Sequence, residues 1–167
     1  IEDLFEMSKA ASKTIQMNYM KVDLVGLIRQ AELENEEKIR EAHLEFRWKL
    51  PEDKVVLWLD SEKTYRIFEN LIVNITKYAM PHTRVYIEMN ERPADVQIFM
   101  KNVSAGELNF NTEEITDRFV RGDSSRNTEG SGLGLAIAKS FAQLQHGNLN
   151  ITTEADLFKA EIILPKL

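Results

Sequence analysis

The amino-acid sequence predicts an α+β domain: a mixed, mostly antiparallel sheet with helices packed on one face. Three observations lead there. Stretches of strict apolar alternation, the period of a half-buried strand, recur at residues 44–50, 84–89, 96–101 and twice after residue 147. Helical spacings of apolar residues separate them at 24–42, 61–79 and 133–144. The order of strands, a helix, a hairpin, a helix and a final hairpin is that of a two-layer sandwich. The 167 residues suit a single domain, and a chain of this length buries roughly 70% of its unfolded surface, so it needs no covalent staple. It has none, since cysteine is absent.

Taken in order, residues 1–13 hold Leu4, Phe5 and Met7 at helical spacing, a stub too short to bury its own apolar face. Asp23 precedes an amphipathic helix through Leu24, Ile28, Ala31, Ile39 and Ala42, with the acidic run Glu32 to Glu37 on its outer side. Leu44, Phe46, Trp48 and Leu50 alternate with Glu45, Arg47 and Lys49 as a strand closed by Pro51. Val55 to Leu59 is a shorter strand. Ser61 then serves as N-cap of a helix carrying Phe68, Leu71, Ile72, Ile75 and Ala79, stopped by Pro81. Val85, Ile87 and Met89, the Arg92-Pro93 turn, and Val96, Ile98 and Met100 make an antiparallel hairpin. Residues 102–132 break periodicity apart from a helical stretch near 113–119, and a loop of that length inside a compact domain is usually functional. Leu133, Ile137, Phe141 and Leu144 mark a helix ending near His146-Gly147, and strands at 148–153 and 158–164 complete the chain.

Composition excludes several classes. The 43% hydrophobic and 29% charged residues are ordinary for a folded domain and argue against disorder or low complexity. No apolar run approaches the roughly 20 residues of a membrane-spanning helix, so direct membrane contact is not expected. A net charge of −6 and a pI near 5.2 argue against nucleic acid as a partner. The first residues read as helix and not as a cleavable signal, and with a start at Ile1 the chain is expected to be a piece of a longer protein.

Two features carry chemistry. On a helix at 100° per residue, Arg66, Asn70, Asn74 and Lys77 fall on one stripe opposite the apolar one. Asparagine is a poor interior helix residue, so two of them a turn apart cost stability unless they act. An amide oxygen coordinates a hard cation such as Mg²⁺, and Lys77 stands where a bridged phosphate would lie. The second feature is Gly130-Ser131-Gly132-Leu133-Gly134-Leu135, a glycine-rich run leading directly into a helix. Glycines admit a ligand close to the backbone and the helix start presents N–H groups, together an anion site. No Gly-Lys-Ser/Thr follows, and the spacing does not fit the dinucleotide fingerprint.

In that order, Asn70-Leu-Ile-Val-Asn74-Ile-Thr-Lys77-Tyr78, the stretch Arg118-Phe119-Val-Arg121-Gly122-Asp123-Ser-Ser-Arg126, and Gly130-Ser131-Gly132-Leu133-Gly134-Leu135 resemble the ATP-binding catalytic domain of two-component sensor histidine kinases. The resemblance spans about residues 44–165. It implies the Bergerat fold of the GHKL superfamily, shared with gyrase, Hsp90-type chaperones and mismatch-repair ATPases, with ATP and Mg²⁺ under a mobile lid. By the same resemblance Asn74 ligates Mg²⁺, Asn70 supports it, and Lys77 and Tyr78 flank the nucleotide. Phe119, Arg121 and Arg126 belong to the lid, Arg121 and Arg126 with Asn74 and Lys77 as the catalytic set. Gly130, Ser131, Gly132, Leu133, Gly134 and Leu135 form the phosphate-side box. The family's Asp-x-Gly-x-Gly, whose Asp receives the adenine amino group, corresponds to Asn102-Val103-Ser104-Ala105-Gly106, with an amide for the carboxylate and Ser104 for the first glycine.

The resemblance further implies that residues 1–20 are the end of a dimerisation and phosphotransfer domain with its linker, and 21–167 the ATP-binding domain. None of His43, His82 and His146 is followed by the acid of the family's phosphoacceptor motif, so the accepting histidine lies outside this chain. The implied activity is transfer of the γ-phosphate to that histidine. Implied partners are the chain's own phosphotransfer domain and a response-regulator receiver domain. The parent is expected to be a homodimer, this chain a monomer, and the location the cytoplasmic side of a membrane-anchored bacterial sensor. The other readings of the same fold are a degenerate regulatory nucleotide module, motivated by Asn102 and Ser104, and an anti-sigma-type serine kinase.

Overall fold

A computed structural model of the chain describes residues 16–108 and 133–166. In chain order these form β1 (Tyr19–Asp23), α1 (Leu24–Glu34), α2 (Glu36–Glu41), β2 (Glu45–Lys49), β3 (Val56–Asp60) and α3 (Ser61–Tyr78). Then come β4 (Arg84–Glu91), β5 (Asp95–Val103), α4 (Gly134–Leu144), β6 (Asn148–Glu154) and β7 (Leu157–Pro165). The main sheet has the order β2-β4-β5-β7-β6, and a separate ribbon pairs β1 with β3. Only β2 and β4 run parallel, and their connection accommodates β3 and α3 as a crossover; the other pairings are antiparallel. The mixed, mostly antiparallel sheet matches the expectation.

Alternation decides which face is covered. Val85, Ile87 and Met89 of β4, Val96, Ile98 and Met100 of β5, Leu149 and Ile151 of β6, and Phe158, Ala160, Ile162 and Leu164 of β7 are all buried. The intervening residues are half-buried or exposed. One face of the sheet is therefore core and the other is open to solvent. Ile67, Phe68, Leu71, Ile72 and Ile75 of α3 and Ile137, Ala138 and Phe141 of α4 complete the same core.

Three local expectations change. The helix expected over 24–42 is broken at Asn35, a buried residue whose Nδ2 donates to the Ala31 carbonyl at 2.8 Å. An asparagine amide that takes a backbone carbonyl competes with helix continuation, and α2 restarts beyond it. The N-cap of α3 is Asp60 and not Ser61, which is the first helical residue. Residues 19–23 form a strand that crosses the boundary expected after residue 20. No alternation announces β1; its pairing with β3 is a tertiary contact. Gly147 fills the expected helix stop because a Cβ there would lie 2.1 Å from the Ile163 carbonyl oxygen, a close approach only glycine permits.

Asp60 joins these layers. Its carboxylate accepts from the N–H groups of Lys63 and Asn18 and from the Lys63 ammonium, each at 3.0 Å. Its own N–H donates to Gln145 Oε1 at the end of α4 at 2.8 Å, and Thr64 Oγ1 donates to the same oxygen at 3.2 Å. Burial works to raise the Asp60 pKa, but the two N–H donors and the ammonium outweigh it and hold the carboxyl below its ordinary value. A depressed folded pKa means the stabilisation is complete above the ordinary carboxylate range and is lost as pH falls through the folded value. Asp60→Asn keeps a capping side chain but removes the charge that faces Lys63 and the helix N-terminus, and is therefore expected to lower unfolding free energy by about 1 kcal/mol at neutral pH. In urea titrations the difference from wild type should narrow in acid, below the ordinary aspartate value of roughly 4.

Candidate functional site

The amide stripe on α3 lies in one continuous helix of 18 residues, so Asn70, Asn74 and Lys77 fall within an arc of about 60°. Asn70 is buried, Asn74 half-buried and Lys77 exposed in the last turn, where a cation also complements the helix dipole. Arg66, on the same stripe, is engaged by Glu69 at 2.9 Å.

Two other segments meet this helix. The C-terminal end of α3 is tied to the end of β5 by Met80 N–H donating to the Val103 carbonyl and Ala105 N–H to the Tyr78 carbonyl, both at 2.8 Å. A bridge pairs Ala79 with Ser104. Ser104 is itself buried, its N–H donates to the Asp156 carbonyl at 2.7 Å, and its Oγ accepts from Gly106 N–H at 3.4 Å. Asn102 lies two residues before, on the helix-covered face of β5 with Met100 and Ile98, and is 3% exposed.

From the other side α4 packs against α3. A Cβ placed on Gly134 would be 3.7 Å from Cγ and Oδ1 of Asn70, so the start of α4 stands beside the first amide. Leu133 holds the N-cap position, and its apolar side chain makes no cap hydrogen bond. The N–H groups of its first turn present a positive dipole end. The side chains of Leu133 and Leu135 are core residues, so any ligand contact from them is made by backbone.

The electrostatics of this convergence are set by neutral amides. Asn70 Nδ2 and Asn102 Oδ1 are buried side-chain atoms with no hydrogen-bond partner among the described residues. Buried polar groups are almost always paired, because leaving one unmade costs about 1 to 3 kcal/mol. One orphan is a donor beside a helix N-terminus, suited to an anionic oxygen. The other is an acceptor at the end of β5, suited to an amino group. Among the described residues no three His, Asp or Glu side chains converge, so a cation held here would meet amide oxygen and ligand oxygen, not a carboxylate cage.

The structure thus sets Asn70, Asn74, Lys77 and Tyr78 along one helix, the start of α4 at Gly134 beside Asn70, and the segment from Asn102 through Ser104 to Gly106 against the C-terminal end of that helix. Phe119, Arg121, Arg126, Gly130, Ser131, Gly132 and the expected lid lie outside the described residues. His43, His82 and His146 are exposed and sit in turns at positive φ, as loop histidines. His43 and His82 stack with ring centroids 4.9 Å apart at the rim of an open cleft of about 670 Å³. That cleft, which alternation did not signal, is lined by Glu45, Arg84, Tyr86 and Val103 as well and includes none of the amide residues.

Comparison with known proteins gives one family whose model matches residues 59–166, described as histidine kinase-, DNA gyrase B-, and HSP90-like ATPase. The chain is 31% identical over 153 residues to the sensor histidine kinase WalK of Bacillus subtilis (strain 168), a match covering 89% of this chain and 25% of that protein. The chain spans about a quarter of the length of such relatives. Among solved structures, the catalytic domain of histidine kinase ThkA superposes with a TM-score of 0.79 at 20% identity, covering 90% of this chain and 97% of that one. Full-length ShkA in complex with AMPPNP superposes at 0.81, again at 20% identity, covering 98% of this chain and 35% of that one. These likenesses show the fold.

Proposed function

The chain belongs to the histidine kinase-, DNA gyrase B-, and HSP90-like ATPase family, and from that premise we propose that it is the catalytic domain of a sensor histidine kinase. It binds Mg-ATP and donates the γ-phosphate to a histidine on the phosphotransfer domain of its parent. The observation that carries the reading is the pair of orphan amide atoms, Asn70 Nδ2 and Asn102 Oδ1, one on each side of the site.

In this reading Asn102 Oδ1 receives the adenine amino group and the segment through Ser104 to Gly106 borders the base. Asn74 offers its amide oxygen to Mg²⁺, which neutralises phosphate charge when bound, while Asn70 donates to a phosphate oxygen. Lys77 and the lid arginines Arg121 and Arg126 add positive charge around the transferred group. The start of α4 at Gly134, with Gly130 and Gly132 before it, brings backbone N–H groups to the phosphates. Phosphoryl transfer is mostly positioning and charge neutralisation, so this domain needs no nucleophile of its own. A degenerate module would have no reason to keep an unpaired acceptor buried at Asn102, which disfavours that alternative. Residues 1–20 belong, in the same reading, to the end of the phosphotransfer domain and its linker, and 21–167 to the ATP-binding domain. Homodimerisation, a receiver-domain partner and a cytoplasmic position in a membrane-anchored bacterial sensor are properties proposed for the parent. No helix among the described residues is long and apolar enough to cross a membrane.

Labelled ATP tests the activity. The chain mixed with the separately produced phosphotransfer domain of its parent should place acid-labile label on that domain and none on itself. Comparable labelling of His43, His82 or His146 would contradict the reading.

A further inference from the structure

The open face of the sheet, opposite the nucleotide side, carries a row of cations in which Arg47 pairs with Glu45 at 2.9 Å while two central lysines are held by no carboxylate among the described residues. The strand register places Arg47, Tyr86, Lys101, Lys159 and Thr152 side by side across β2, β4, β5, β7 and β6. Lys101 and Lys159 are directly opposed, an arrangement of like charges that destabilises a sheet. Both are half-buried, and neither forms an ion pair among the described residues. Each ammonium rests over the Phe99 ring instead, at 5.2 and 5.3 Å.

Glu45 is taken by Arg47 and Arg84, and the carboxylates nearer the two lysines are turned elsewhere. Glu161 accepts from the side-chain amides of Gln97 and Asn150, and Glu88 accepts from Asn90. The neighbouring row toward the end of β5 holds Arg84 with Tyr86 beside it and two exposed apolar residues, Val103 at 36% and Leu157 at 38%. The surface is therefore cationic in the middle and apolar at one edge, on a chain whose net charge is −6.

We propose that this face docks an acidic segment of a partner protein, its carboxylates meeting Lys101 and Lys159, with Arg47 reached by exchange from its exposed pair with Glu45, and its apolar side chains meeting Val103 and Leu157. With strands about 4.8 Å apart, the two lysines stand one spacing from each other and Arg47 two spacings, about 10 Å, from Lys101, which an extended peptide spans in a few residues. A nucleic acid is the poorer fit. Its affinity grows with the number of phosphates neutralised, and here the cations are few and bounded by Glu45, Glu154 and Glu161. The proposal is independent of the nucleotide site, because Asn102 faces the helices while Lys101 faces out.

The test is fluorescence anisotropy of the chain with a labelled peptide of alternating Glu and Val, against the same peptide with Gln for Glu. Binding is expected for the Glu peptide and to weaken at high salt, with about tenfold loss in a K101Q/K159Q variant. A K38Q/R40Q variant, which removes two cations on α2, should change affinity less than about twofold. Equal loss in the two variants, equal binding of the Gln peptide, or tighter binding of an oligothymidylate of the same charge would overturn the proposal. Unchanged circular dichroism of both variants separates lost binding from lost fold.

Discussion

Asn74→Ala is expected to abolish the dependence of nucleotide binding on Mg²⁺ while leaving the fold unaffected. In wild type, adding Mg²⁺ should tighten ATP binding; in the variant, titrations with and without metal should coincide, a loss of roughly ten- to a hundredfold in the metal-dependent affinity. The position favours a clean result. Asn74 is half-buried on the site-facing side of α3, within a helix whose apolar stripe carries the packing. Alanine there is the better helix former by several tenths of a kcal/mol, so thermal unfolding without nucleotide should not fall. Calorimetry giving equal metal dependence in wild type and variant would remove Asn74 from the metal site.

Asn102→Asp is expected to tighten ATP binding about tenfold and to sharpen discrimination against inosine nucleotides. A hydrogen bond to a charged acceptor is worth about 1.5 to 3 kcal/mol, against roughly 0.5 to 1.5 for a neutral pair. A carboxylate only accepts, whereas an amide turned end for end also donates and tolerates the 6-oxo group of hypoxanthine. Burial adds a consequence that sequence alone does not give. At 3% exposure an ionised aspartate is costly without a partner, so the nucleotide-free variant should be less stable than wild type and ATP should raise its melting temperature more. The measurements are affinities for ATP and ITP and melting curves with and without ATP. An unchanged ATP/ITP ratio would place Asn102 away from the base.

The parts of this architecture legible in sequence are those set by local periodicity. Alternation in β4, β5 and β7 placed their buried faces correctly because one face is core along the whole strand. The period of α3 likewise put Asn70 and Asn74 on the side away from its apolar stripe. What periodicity cannot carry is pairing between distant segments. The ribbon of β1 with β3 has no alternation to announce it, and Asp60 as cap is distinguished from Ser61 only by Asn18, Lys63 and Gln145, which the fold brings to it. The candidate site divides in the same way. Asn70 and Asn74 are visible as residue types out of place in a helix, and Asn102 only through the family resemblance, at the position of its Asp. Their lack of partners, and the approach of Gly134 to Asn70, follow from how α3, β5 and α4 pack. The cationic row on the open face depends on register across five strands.

The most direct measurement is a heteronuclear NMR titration of the chain with Mg-ADP, following the side-chain NH₂ groups of Asn70 and Asn102. Both sit in a nucleotide site only if the two orphan atoms are ligand contacts. The expected result is that both amides shift at the same nucleotide concentration, while the imidazole signals of His43 and His82 in the separate cleft stay in place. Saturable nucleotide binding that leaves both amides unmoved would contradict the assignment of this end of the domain as the ATP site.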